Sequence, residues 1–169
     1  MSSRHSSLVE HDLFGKPVST FPDYALMPAR YVRVGRSATG LGLFATKAIA
    51  RGAPIVSYRG PRIPTLEAQD CERRFGAKYM FELNRRWSID GSPRWNLGRY
   101  ANHSCRPNAE PVARKGRVKL VALRPILPGE EITFDYGEEY FALFFRKSGC
   151  RCVDCRATAE RRRARARRR

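Results

Sequence analysis

Acidic residues are in short supply in this chain: 16 Asp and Glu stand against 33 Lys and Arg over 169 residues, a formal net charge of +17. Seven of the cations lie in the run from Arg161 to Arg169, and the remainder still carries +10. Such a body suggests anionic partners, nucleic acid first, through long-range attraction and counterion release; keeping the protein soluble is the plainer use of the same charge. Long apolar runs are missing as well. No stretch approaches the ~18 consecutive apolar residues that a membrane span needs. Residues 1 to 25 are polar and lack the continuous apolar core of a secretory signal. An intracellular protein without a membrane partner is therefore expected. Cysteine is sparse, five in all, and in a reducing compartment clustered thiols point to metal before disulfides. The length suits one domain with a sizeable core.

What is present reads as many short strands with frequent Gly and Pro punctuation, a mainly β, β-rich α+β body. Residues 1 to 29 show no sustained period and read as an extended N-terminal arm, in which Leu8, Val9, Leu13 and Phe14 are able to dock on the body. Tyr31 to Val34 and Ile55 to Tyr58 read as strands, and Thr65 to Arg74 as a short helix with Thr65 as N-cap candidate and Cys71 half-buried within it. Lys78 to Leu83 and Trp87 to Asp90 form a hairpin across the Asn84-Arg85-Arg86 turn. Two more strands follow within residues 109 to 124, and Pro128-Gly129 turns the chain into Glu131 to Tyr136. Gly40-Leu41-Gly42-Leu43-Phe44-Ala45 satisfies the dinucleotide-binding pattern, but Gly52 and Pro54 interrupt the helix that pattern requires. Its glycines serve a plain turn or a close backbone approach to a ligand. Tyr140, Phe141, Phe144 and Phe145 give one apolar face of a helix over Glu138 to Lys147, used for core packing or for lining a pocket.

Three separated motifs carry the chemistry. Arg99-Tyr100-Ala101-Asn102-His103-Ser104-Cys105-Arg106-Pro107-Asn108 crowds hydrogen-bonding groups of unusual variety beside a tyrosine and a thiol. Gly129-Glu130-Glu131-Ile132-Thr133-Phe134-Asp135-Tyr136 lies downstream, and Cys150-x-Cys152-x-x-Cys155 closes the series. In that order they resemble the SET-domain protein lysine methyltransferases, over roughly residues 30 to 156. The resemblance implies a SET domain at 30–138 and a zinc-bound post-SET segment at 139–156; an Arg-rich basic tail follows at 157–169. It also implies small curled sheets with a threaded, knot-like crossing of the Asn102 and Tyr136 segments, an exception to the usual rule against threading. The Tyr-x-Gly-Glu of the family is here Tyr58-Arg59-Gly60-Pro61, without the acid.

By the same resemblance Tyr136 is the catalytic tyrosine and Tyr79 its partner. Gly40, Leu41, Gly42, Tyr79, Arg99, Asn102, His103 and Tyr136 belong to the S-adenosylmethionine site, and His103 binds rather than acts as a base. Phe134, Tyr79, Tyr136 and Tyr140 line the lysine channel. The target amine must be neutral although free lysine titrates near ~10.4, and desolvation in an aromatic channel beside a sulfonium favours the neutral form. Cys150, Cys152 and Cys155 supply three thiolates where zinc prefers four ligands, and the family takes the fourth from the position of Cys105. The spacing here is C-x-C-x2-C where the family commonly has C-x-C-x4-C. The acids Glu130, Glu131, Asp135, Glu138 and Glu139 around Tyr136 form either a solvated face or a rim that attracts a basic, lysine-bearing protein, histone or histone-like.

The expected activity is di- or trimethylation, because Phe134 occupies the position where Phe and Tyr alternate. Two other classes stay open: a zinc-stapled nucleic-acid-binding module, and a SET-like scaffold without activity. The tail from Ala159 to Arg169 is read as disordered or helical only on a partner, holding DNA, RNA or an acidic protein, or merely solubilising. No Cys-rich segment precedes the domain and no reader module is seen. A compact stand-alone enzyme is therefore expected, cytoplasmic in a bacterium or nuclear in a eukaryote.

Overall fold

The computed structural model describes residues 31–167, so the expected N-terminal arm, with Leu8, Val9, Leu13 and Phe14, lies outside the described residues. The described chain runs β1 (Val32–Ser37), β2 (Gly40–Ala45), β3 (Pro54–Tyr58), β4 (Arg62–Pro64), α1 (Thr65–Phe75), β5 (Met80–Glu82), β6 (Trp87–Asp90), a 3-10 turn at Leu97–Tyr100, β7 (Asn102–His103), β8 (Ala109–Arg114), β9 (Arg117–Ala122), β10 (Glu131–Phe134), α2 (Glu138–Phe144) and α3 (Val153–Arg167). The strands assemble into three small sheets of order β1-β2-β10-β7, β3-β9-β8 and β4-β6-β5. No helix among the described residues is long and apolar enough to cross a membrane.

Period-two patterning explains how the sheets face one another. Along β9 the inward residues Val118, Leu120 and Ala122 are buried while Arg117 faces solvent and Lys119 and Val121 are half-buried. Along β10 the buried residues are Ile132 and Phe134, which leaves Glu131 and Thr133 on the other face. Leu43, Leu120, Ile126 and Ile132 are completely buried in one shared core. Each contributes about 1.5–3 kcal/mol of apolar burial, enough to hold three short sheets that would not persist alone. A smaller cluster of Tyr58, Ile89 and Val118 joins the β4-β6-β5 sheet to the rest.

The segments of Asn102 and Tyr136 come together as expected. β7 pairs parallel to β10, with Asn102 opposite Thr133 and His103 opposite Phe134. Ser104 N–H then donates to the Phe134 carbonyl at 3.2 Å. Gly40 to Ala45, read as a turn or ligand approach, is instead a full strand, paired with β1 from Ser37↔Gly40 to Val32↔Ala45.

Local expectations are corrected at three places. Thr65 does not cap α1: Pro64 holds the cap position, drawn there by its strand pairing with Trp87. The Thr65 hydroxyl turns inward, donating to the Asn84 carbonyl at 2.9 Å beside Ser88 Oγ at 3.1 Å. The strand expected from Lys78 is shorter and starts at Met80; before it, the Tyr79 carbonyl accepts from Tyr58 O–H and Gly91 N–H, both at 2.8 Å. The tail is helical within the chain itself, since α3 runs unbroken to Arg167 across the 156/157 boundary. Ala and Arg are strong helix formers and no Gly or Pro interrupts them.

Candidate active site

Two cavities, of about 620 and about 640 Å³, meet at a shared wall of Lys78, Tyr79, Arg99, Tyr136 and Tyr140. The first adds Phe134, Asp135 and residues of α1, β5 and α2; the second adds Leu41, Asn102, His103, Tyr100 and the cysteine segment. Residues distant in sequence thus converge on one aromatic junction between two chambers.

Tyr136 sits at the centre of that junction. Its ring lies 4.8 Å from Phe134, 5.5 Å from His103 and 4.9 Å, edge-on, from Tyr140. Its hydroxyl donates to the Ala101 carbonyl at 2.9 Å, which fixes the proton and leaves the oxygen lone pairs free to accept. Burial pushes the phenol far above its ordinary value, with the neighbouring Tyr140 and Tyr58 adding to the shift. Both the burial and the bond to Ala101 favour the protonated phenol. Tyr140 O–H is occupied by the Lys78 carbonyl at 2.7 Å, and burial raises its pKa in the same way. The aromatic face of α2 is built by Tyr140 with Phe144 at 4.5 Å and by Phe141 with His103 at 5.8 Å.

The second cavity is organised by Arg99 and Asn102. The Arg99 guanidinium stacks 4.0 Å above the Tyr79 ring, and one of its terminal nitrogens donates to the Ser92 carbonyl. Arg99 Nε is the one buried side-chain nitrogen or oxygen without a partner among the described residues, a donor left for a ligand. Asn102 Nδ2 donates to the Leu41 carbonyl at 3.0 Å and to Glu131 Oε1 at 2.7 Å. Glu131 Oε2 in turn accepts from Ser37 Oγ at 2.9 Å.

Of the two glycines expected here, neither lines a cavity; Leu41 between them does. A Cβ on Gly42 would lie 2.4 Å from Glu131 Oε1, so this glycine makes room for the carboxylate that holds Asn102. Gly40 has φ of 122° and opens the hairpin strand. His103 Nδ1 accepts the Tyr136 N–H at 3.3 Å, while its Nε2 faces Cys105 Sγ at 3.5 Å. Desolvation lowers its pKa against the opposing pull of Asp135. The imidazole thus stands between Tyr136 and the cysteines while lining the second cavity.

The acids rearrange relative to the sequence expectation. Glu130 faces away, bound to Arg124, to Leu127 N–H at 3.1 Å and to Asn108 Nδ2 at 3.2 Å. Glu131 is the Asn102 anchor described above. The acids that do line the first cavity are Asp135 and Glu139, joined by Glu72 of α1 and Glu82 of β5. Burial raises the Glu72 carboxyl, and Glu82 raises it further. The sequence reading missed Glu72, Glu82, Ser37 and Tyr58. Only Tyr58 carried a local signal, as the one aromatic of a Tyr-x-Gly segment; the others depend on which strands become neighbours.

Cys105, Cys150, Cys152 and Cys155 converge, their sulfurs all within 4.8 Å of one another. Cys105 Sγ lies 3.7 Å from Cys150 Sγ and 3.6 Å from Cys155 Sγ. A zinc tetrahedron with Zn–S near 2.3 Å has edges of about 3.8 Å, which these two separations match. The short C-x2-C spacing works because α3 begins between the last two cysteines and brings Cys155 back over Cys152 in its first turn. Ser104 Oγ, donating to Asp154 Oδ2 at 3.4 Å, ties the same turn to β7.

A family model described as SET domain matches residues 40–137. A Caenorhabditis elegans histone-lysine N-methyltransferase, set-2, is 37% identical over 106 residues, 57% of this chain and 7% of that protein. The Drosophila melanogaster histone-lysine N-methyltransferase Set2 is 32% identical over 148 residues, 80% of this chain and 6% of its own length. The chain thus spans less than a tenth of either relative. Among solved structures, an active polycomb repressive complex 2 in the basal state superimposes with a TM-score of 0.56 at 34% identity, covering 63% of this chain and 15% of that one.

Proposed function

The chain belongs to the SET-domain family, and from that premise we propose that it is an S-adenosylmethionine-dependent protein lysine N-methyltransferase acting on a basic protein. The observation that carries this reading is the aromatic junction. One cavity is lined by the Arg99, Asn102 and His103 motif, the other by acids, and Tyr79, Tyr136 and Tyr140 stand between them.

S-adenosylmethionine, when bound, supplies an electrophilic methyl group on a sulfonium. Leu41, Arg99, Asn102 and His103 would hold it, and the unmet Arg99 Nε–H suits an acceptor of that molecule. On the other side, Asp135, Glu139, Glu72 and Glu82 favour a cationic peptide. A lysine side chain threaded past Phe134 loses water to the aromatic walls, which favours the neutral amine. Tyr136 Oη, its own proton committed to Ala101, accepts a hydrogen bond from the amine and aims its lone pair along the junction. No covalent intermediate on the chain is needed, so alignment and desolvation are the work left to the protein.

Phe134 brings no hydroxyl to this wall, so no water is pinned where a second or third methyl would sit; we read the product as di- or trimethyllysine. The four cysteines are read as a structural zinc site that fastens the post-SET segment beside the second cavity. Relatives named as histone-lysine methyltransferases support a histone or histone-like substrate. The test is methyl transfer from labelled S-adenosylmethionine to a panel of basic proteins. Transfer should occur and should fall about 100-fold or more in Tyr136→Phe. A chain that binds the cofactor yet methylates nothing in the panel would favour the alternative of an inactive SET-like scaffold.

A further inference from the structure

α3 is a helix without an apolar face. Over Val153–Arg167 its acids are Asp154 and Glu160, against arginines at 156, 161, 162, 163, 165 and 167. It is held to the body at its first turn, through the Ser104–Asp154 hydrogen bond and through Cys155, 3.6 Å from Cys105. From Thr158 onward every residue whose side chain is described is exposed. A helix polar all round has no surface with which to pack on its own fold. At 3.6 residues per turn the exposed Arg156, Arg163 and Arg167 fall within about 40° of one another, and Arg161 lies about 140° around from Arg156.

We propose that α3 is a docking element for double-stranded DNA, seated in the major groove with its arginines on the phosphates of both walls. Fifteen helical residues make a rod about 22 Å long and about 10–12 Å across, and the B-form major groove is about 12 Å wide. Cations on two sides of the rod meet the two phosphate backbones that flank a groove. The helix offers no aromatic ring on which unpaired bases could stack, which disfavours single strands. The deep, narrow major groove of A-form RNA does not admit such a rod. Binding of this kind is carried by phosphate contacts and reads no sequence. Because Cys155 is also part of the four-cysteine cluster, the rod is bolted to the catalytic body instead of hanging from a linker.

The test is fluorescence anisotropy of the full, zinc-loaded chain on a mixed-sequence duplex across a salt series, comparing wild type with Arg161→Gln, Arg163→Gln and Arg167→Gln combined. Gln keeps helix propensity while removing charge. The slope of log K against log salt should fall in magnitude by roughly 2–3, since each lost phosphate contact removes about 0.9, and Kd should weaken at least tenfold. The matching triple Lys variant should keep the wild-type slope. An unchanged slope in the Gln variant overturns the proposal, as does equal weakening by Lys and Gln, which would mean packing instead of charge. Single-stranded RNA of equal length binding as tightly as the duplex overturns it too. The readout needs no methyl transfer, so its failure is separable from failure of the enzymatic reading.

Discussion

Gly42→Ala is the most revealing single substitution available in this chain. Gly42 lies inside β2 with φ outside the left-handed region, so alanine is conformationally acceptable there. On the unfolded side the change should stabilise by about 0.4–1 kcal/mol. In the fold, the new Cβ would stand 2.4 Å from Glu131 Oε1 and 2.9 Å from Ser37 Cβ. The carboxylate must swing away, breaking the bonds from Asn102 at 2.7 Å and Ser37 at 2.9 Å. Hydrogen bonds to a charged acceptor contribute about 1.5–3 kcal/mol each. The net expectation is a destabilisation of about 2–5 kcal/mol, read as a shift of the urea midpoint. Asn102 loses its anchor at the same time, so calorimetric affinity for S-adenosylmethionine should fall with stability. The double variant with Glu131→Ala removes the carboxylate and leaves the Ser37 Cβ contact at 2.9 Å, so Gly42→Ala should cost less there than in the wild type. Strong non-additivity of that kind is the signature of direct contact. A Gly42→Ala protein with wild-type midpoint and cofactor affinity would refute the reasoning, and so would simple additivity in the double variant.

Phe134→Tyr should shift the product towards monomethyllysine with cofactor affinity nearly intact; exhaustive turnover on a peptide followed by mass spectrometry reads it, and a wild type that stops at one methyl refutes the Phe134 argument. Chelating the metal should abolish activity by loosening residues 149–156 while circular dichroism retains most of the β signal; full activity in protein shown metal-free by elemental analysis would contradict the zinc reading. Glu130 is held below its ordinary value first by the hydrogen bond from Arg124. Its folded pKa is depressed, so its stabilisation is present above the unfolded value of about 4.3 and lost as pH falls through the folded one. The stability gap between wild type and Glu130→Gln should therefore close on acidification; a gap independent of pH would show that charge is not its cause.

The strand pattern, the Cys150 to Cys155 cluster and the Asn102-His103 and Phe134-x-Tyr136 motifs were legible in the sequence because each depends on local order, whereas Cys105, 45 positions before Cys150, was added by resemblance. Alternation along Val118 to Ala122 is a property of neighbours in the chain, and so is a C-x-C-x2-C spacing. Two site features were illegible for the opposite reason. That Gly42 makes room for Glu131 depends on β10 lying against β2, 89 positions away in sequence. The acids of the first cavity depend on α1, β5 and α2 facing a common space, and nothing near Glu72 or Glu82 marks them. The tail reading failed differently: composition alone cannot see that Cys155 pins the first turn of α3, after which its Ala and Arg residues propagate the helix. By itself, then, the sequence determined which groups are present and which segments alternate or turn. Tertiary structure decided which carboxylates guard a cavity and which merely brace the frame, because that depends on pairings between residues far apart in the chain.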